Sequence, residues 1–230
     1  MASRIHSEIR AFLTEHCDEE YKAFFSKLVP TLDPQSIVGV RTPALRTFAK
    51  QLIKHPEIEE FLESLPHDVF EENQLHAFVL GEMSNYDQHM ETLNLFLPSI
   101  DNWATCDQLP VRTLAKDPKR TLEAVRCWLA DDCPYVVRFG IGVLLRLFLD
   151  ERFEPAQMQW VVRVTSDEHY VNMMRAWYIA EALAKQPECA LEVIESQQFD
   201  IWTHNKSIQK ACESRRVSDD LKRRLKTMKR

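Results

Sequence analysis

Apolar residues along this chain fall three and four apart almost from end to end, the spacing that lines one face of an α-helix. "RIHSEIRAFLTEH" sets Ile5, Ile9, Phe12 and Leu13 at those intervals. "EEYKAFFSKLV" continues the pattern until two prolines in "PTLDPQ" interrupt it. "RTPALRTFAKQLIKH" predicts a helix capped by Thr42, with Pro43 at the first helical position, where a missing N–H costs nothing. Leu45, Phe48, Ala49, Leu52 and Ile53 form its expected buried stripe. "FEENQLHAFVLGEMS", "PKRTLEAVRCWLADD" and "EHYVNMMRAWYIAEALAKQ" repeat the theme, mostly with prolines at the segment edges. Pro110 is different, because it falls inside a helical pattern and predicts a stop or kink near Leu109.

No segment sustains the two-residue alternation of a strand, and no hairpin turn signal occurs. Helix–turn–helix pairs beginning near residues 85, 117 and 155 recur at roughly the 40-residue period of HEAT-like solenoids. The expectation is an all-α chain, a HEAT-like helical-repeat solenoid whose inner helices line a curved, concave groove. The units share little sequence, so an irregular helical bundle is the alternative. One domain is expected over 1–230, with distinct N-terminal helices over 1–40 and basic C-terminal helices over 201–230.

Composition narrows the chemistry. Four glycines in 230 residues exclude the glycine-rich loops of Rossmann and P-loop proteins. The six cysteines, at 17, 106, 127, 133, 189 and 212, form no CxxC pair and have no clustered histidines. They read as reduced, buried thiols in a cytoplasmic protein, with no metal and no cofactor expected. The charged N-terminus is no signal peptide, and no apolar run approaches a membrane span, so no membrane partner is expected and a monomer is favoured. Net charge is −6, but ten Lys/Arg stand against three acids over 201–230, leaving −13 on the other 200 residues. The basic tail, including Lys222, Arg223 and Arg224, is either a solvated helix with dipole-compensating cations or a phosphate-contacting surface.

Four residues stand out as candidate chemistry. In "DNWATCDQL", Trp103 and Asp107 are four apart and share a helix face. Arg138 interrupts the apolar run "PYVVRFGIGVLL", where a guanidinium needs a partner. It lies 31 residues past Asp107, and Trp177 follows 39 residues later, separations compatible with one inner-face position per repeat. The plainer reading makes the tryptophans core residues and Arg138 a structural ion-pair partner of Asp107. Arg175 reads as solvated on another face, and Trp128, Trp160 and Trp202 as packing residues.

"NWATCDQL", "YVVRFGIGVLL" and "NMMRAWYIAEAL", in this order and spacing, resemble the signature segments of the AlkD-like HEAT-repeat DNA glycosylases. The resemblance extends from "GVRTPALRTFAKQL" to "THNKSIQKACESRRVSDDLKRRLKTMKR". It implies removal of cationic N3- and N7-alkylpurines from duplex DNA without metal or organic cofactor. Asp107 matches the catalytic carboxylate, Trp103 and Trp177 the aromatic walls against the lesion's sugar and backbone, and Arg138 the arginine that holds a phosphate. A cationic purine is already a good leaving group, so a carboxylate need only stabilise the oxocarbenium-like sugar and position a water. The segment "DEEYKAFFSKLVPTLDPQSIVGVRTPALR" departs from the pattern of excising members and resembles a divergent branch with an altered DNA-gripping N-terminal helix. Two readings therefore follow. One is a monofunctional glycosylase acting on duplex DNA, nucleoid-associated within the cytoplasm. The other is a catalytically deficient paralogue that binds damaged or unusual nucleic acid, or a protein.

Overall fold

A computed structural model describes residues 3–230. All its regular elements are helical, and the nearest approach to a strand is one antiparallel bridge between Cys17 and Val40. The chain folds as two compact units, Met1–Pro118 and Lys119–Arg230. The first carries α1 (Arg4–Glu15), α2 (Glu19–Phe25), α3 (Thr42–Leu52), α4 (Ile58–Glu63), α5 (Phe70–Glu82), α6 (Tyr86–Phe96) and α7 (Trp103–Gln108). From the boundary onward run α8 (Pro118–Trp128), α9 (Pro134–Val143), α10 (Pro155–Arg163), α11 (His169–Lys185), α12 (Pro187–Glu195), α13 (Ile201–Glu213) and α14 (Asp219–Lys226).

Proline explains many of the starts. Five helices, α3, α8, α9, α10 and α12, have Pro43, Pro118, Pro134, Pro155 or Pro187 in their first turn, where the ring pre-sets φ and no hydrogen bond is lost. Thr42 is not the cap of α3. That place belongs to Arg41, and no side chain bonds the first amides. The α3 stripe buries Leu45, Ala49 and Leu52, while Phe48 stays half-buried and stacks on Phe12 at 3.9 Å between ring centroids. α7 ends at Gln108 with Leu109 as its C-cap, the stop that Pro110 imposes.

Within each unit every second helix stacks. α5 packs against α3 and α7 in the first, and α11 packs against α9 and α13 in the second. That alternation is the packing of helical-hairpin repeats, and the all-α class expected from the sequence is the class observed. α5 and α11 are accordingly buried along most of their length. The thiols differ from expectation. Among the six, Cys106 is buried, whereas Cys17 and Cys127 are exposed and the other three half-exposed; Cys127, Cys189 and Cys212 fall outside the buried stripes of their helices, and Cys17 and Cys133 lie between helices.

Candidate functional site

In the first unit the candidate residues sit on the six-residue α7, a helix too short to hold itself together. Its start is held by side chains. Asn102 caps it, accepting the Thr105 amide at 2.8 Å, and the Asn102 amide nitrogen donates to Thr105 Oγ1 and Asp101 Oδ1. Thr105 Oγ1 also accepts from Gln74 Nε2 of α5 at 2.9 Å, and Asn102, Thr105 and Gln74 are all buried. Beyond its end, Thr113 Oγ1 donates to the Met83 carbonyl and Lys116 Nζ to the Ser84 carbonyl. Gly81 permits this approach, since a Cβ there would stand 2.5 Å from Pro110 Cγ.

On that anchored turn Trp103 and Asp107 are both half-buried. Trp103 packs against the cluster formed by Phe25, Val29, Ile37, Phe70 and Ala104, and its Nε1 donates to the Leu28 carbonyl at 3.0 Å. Its indole N–H is therefore committed to the N-terminal segment. Next to Asp107, the Gln108 side-chain oxygen accepts from Arg46 Nη2 at 3.4 Å, and the Arg46 guanidinium lies over the Phe78 ring. Nothing in the local sequence distinguishes Arg46 from the other cations of the chain. Only the α3–α5–α7 stacking shows that its exposed face meets the end of α7.

In the second unit Trp177 stands out on α11. Its neighbours Arg175, Ala176, Tyr178, Ile179 and Ala180 are buried, but Trp177 is 38% exposed. It belongs to a strip of accessible positions, Tyr170, Met173, Trp177 and Glu181, spaced three and four apart. Arg138 of α9 is buried, and its Nη1 donates to the Tyr170 carbonyl at the head of that strip. Two turns, roughly 10 Å of helix rise, separate Tyr170 from Trp177. One turn beyond Trp177, Glu181 pairs with Arg216 at 2.5 Å. Of the tail cations, Arg216 is thus the one tied to the Trp177 strip, and sequence could not single it out among ten.

The three tail cations favoured by sequence are each satisfied by a carboxylate. Lys222 faces Asp219 at 3.8 Å, Arg223 bonds Asp220 and Arg224 bonds Glu195. All three pairs are surface pairs, which contribute little and exchange readily. Trp128 packs as expected, and Trp160 is half-buried with Arg126 over its ring. Two other readings are corrected. Arg175 is not solvated but buried, held by Asn172, Asp200 and the Val162 carbonyl, because its side of α11 faces the 199–200 turn. Trp202 is not a packing residue but 41% exposed, because the inner face of α13 is made by Thr203, His204, Ser207, Ile208 and Ala211.

Among the described residues, no group of three His, Cys, Asp or Glu side chains could hold a metal ion, and no helix is long and apolar enough to cross a membrane. A family model described as "DNA alkylation repair enzyme" matches residues 5–214. The chain belongs to the DNA alkylation repair enzyme family. That match covers all four of Trp103, Asp107, Arg138 and Trp177, as well as Arg46. No curated protein matches the chain significantly. For a family member the arrangement within each unit has direct chemical meaning. The first unit offers a carboxylate beside an indole on an anchored turn, and the second offers an exposed indole on a strip flanked by cations.

Proposed function

We propose that this member of the DNA alkylation repair enzyme family binds duplex DNA and hydrolyses the N-glycosidic bond of cationic N3- and N7-alkylpurines. The observation that carries the reading is the pairing of Trp103 with Asp107 on one short, side-chain-capped turn in a chain of this family. Asp107 is the catalytic carboxylate. Its charge stabilises the developing oxocarbenium of the sugar and orients the attacking water, while the alkylated base leaves without protonation. Trp103 offers its ring face, not its committed N–H, to the cationic sugar, and the exposed Trp177 of the second unit offers its ring to the DNA. Arg138, buried and donating to the Tyr170 carbonyl, is the residue the family resemblance assigns to a backbone phosphate, and Arg46 is an exposed guanidinium suited to the phosphates nearest Asp107.

The deciding experiment is release of N7-methylguanine or N3-methyladenine from alkylated duplex DNA, with protein in large excess. Release by the wild type and loss of at least a hundredfold in rate for Asp107→Asn are expected. No release by wild-type protein under those conditions would end the proposal.

The second reading is a nucleic-acid-binding paralogue that no longer excises. What favours it is the N-terminal segment fastened onto Trp103, together with the surface cations Lys222, Arg223 and Arg224, whose ion pairs exchange readily. Salt-dependent DNA binding without base release, weakened by neutralising those three cations, identifies this case.

A further inference from the structure

The second unit contains a pocket of about 580 Å³ that the proposed excision chemistry leaves unused. It opens between the turn before α11 and the start of α13, and its walls include Asp167, His169, Asn172, Arg175, Asp200 and Trp202. Its size lies within the range of about 300–1,000 Å³ usual for small-ligand sites. It is separate from the Trp177 strip. Arg175 and Trp177 are two residues apart and therefore about 200° apart around the helix.

The wall residues have unspent bonding capacity of a particular kind. Arg175 is buried against the Phe199 ring, with its guanidinium carbon 4.8 Å from the centroid. Its Nη1 is shared between Asn172 Oδ1 at 2.7 Å and Asp200 Oδ2 at 3.4 Å, and Nη2 donates to the Val162 carbonyl at 3.3 Å. Its buried Nε–H has no acceptor. An enclosed guanidinium with donors to spare is costly unless an acceptor completes it. Beside it are two carboxylates. Asp200 is partly occupied by Arg175 and the Thr203 amide, while Asp167 is exposed. Above them Trp202 presents an exposed ring, held edge-on by His169 at 5.2 Å.

Two carboxylates against one guanidinium oppose an anion such as free phosphate. An indole platform over adjacent donors and acceptors suits a planar heterocycle whose edge carries both. Among nucleobases guanine has that edge: O6 and N7 accept from an arginine, and N1–H with the 2-amino group donates to a carboxylate. Adenine lacks the paired donors, and the pyrimidines lack the imidazole ring and its N7 acceptor. We infer that this pocket takes an unstacked guanine base, with Trp202 as the stacking platform, Asp167 as acceptor and Arg175 as donor.

Free nucleosides test the chemistry without requiring any event at Asp107, so failure of excision and failure of this site are distinguishable. Deoxyguanosine, deoxyadenosine, deoxycytidine and thymidine are titrated against the full chain and followed by ligand-observed NMR. A second arm titrates a duplex with a single bulged guanine and its fully paired counterpart, which separates a free-nucleoside site from one that reads nucleic acid. Deoxyguanosine should bind at least fivefold more tightly than the other three. Trp202→Ala should weaken it about tenfold, the usual loss when a stacking ring is removed. Asp167→Asn should reduce the preference for guanine over adenine. Both positions are exposed, so folding is retained, and thermal unfolding of each variant verifies it. Equal binding of deoxyadenosine, no binding up to millimolar concentration, or undiminished binding by folded Trp202→Ala would overturn the assignment.

Discussion

The carboxylate of Glu71 is the most consequential buried charge in the first unit. It lies in the first turn of α5, fully buried, and accepts three main-chain amides from the segment leading into α3. Oε2 takes Val38 N–H at 2.9 Å, and Oε1 takes those of Gly39 at 2.6 Å and Val40 at 3.1 Å. Hydrogen bonds to a charged acceptor are worth roughly 1.5–3 kcal/mol each, and an orphaned buried amide costs roughly 1–3 kcal/mol. Glu71→Gln keeps the shape but replaces one acceptor with a donor. With its oxygen facing Gly39 and Val40, its –NH₂ group meets the Val38 N–H, so the substitution should cost about 2–4 kcal/mol. Glu71→Ala orphans all three amides and should cost about 3–6 kcal/mol, a large part of the roughly 5–15 kcal/mol that holds a domain folded. Urea denaturation gives the global loss, and amide exchange at Val38, Gly39 and Val40 gives the local one. Exchange at those amides should accelerate ahead of exchange in the core of α5. A Gln variant within 0.5 kcal/mol of wild type, with protection at Gly39 unchanged, would show that the carboxylate does not hold this loop.

Two further substitutions or conditions follow from the same unit. Gly39 has φ of +99°, and a Cβ there would lie 2.6 Å from the Asp18 carbonyl oxygen and 2.8 Å from Lys22 Cβ. Gly39→Ala should therefore cost about 2–3 kcal/mol, measured as a fall in urea midpoint, and a midpoint unchanged from wild type contradicts the geometry. His67 and His76 share a hydrogen bond of 3.0 Å, and His76 stacks on Phe96 at 3.9 Å between ring centroids. Burial lowers the His67 pKa to about 4 and holds that of His76 well below 6.5. Both shifts are downward, so the unfolded chain takes up protons first as pH falls. The stabilisation is complete above about pH 6.5 and is lost toward pH 4, at roughly 1.4 kcal/mol per pH unit for each histidine. Urea midpoints measured between pH 7 and 5 should fall accordingly, and His67→Gln should flatten the slope; a pH-independent midpoint refutes the assignment.

Much of the fold was legible because proline and apolar spacing are local signals. Pro43, Pro118, Pro134, Pro155 and Pro187 start helices, and Pro110 stops α7 where expected. The Trp103 and Asp107 pairing on one helix face was legible for the same reason. What was not legible depends on partners distant in sequence. Arg175 reads as solvated until Asp200 and the Val162 carbonyl are seen to meet it. Trp202 reads as core by residue type, yet the inner face of α13 is filled by smaller side chains one position further along. Arg46 and Arg216 are two among 29 Lys and Arg residues, and only stacking of alternate helices distinguishes them. Thr42 was misplaced by one residue because Arg41 and Thr42 flank the same turn, and the proline alone does not specify which of them caps it.

The structure of the N-terminal segment bears directly on Trp103. The resemblance to a divergent branch implies an altered gripping helix, and in the structure the segment is fastened at several points. Asp18 pairs with Arg41 at 2.8 Å, Glu71 collects the amides of 38–40, and Leu28 accepts the Trp103 indole N–H. Each contact joins α2 or its following loop to α3, α5 or α7. Phe24 and Leu28, one turn apart, remain exposed on that fastened segment, so its apolar surface is held in place beside Trp103. A wall that spends its N–H on the chain can serve a substrate only through its ring face. That restriction suits a cationic sugar, which is attracted to an indole face, and gives nothing to a phosphate, which needs a donor. Under the proposed excision reading, phosphate recognition next to Asp107 then falls to the guanidinium of Arg46. The fastened N-terminal segment therefore takes up the Trp103 N–H and leaves the ring face as the part of that side chain a substrate can meet.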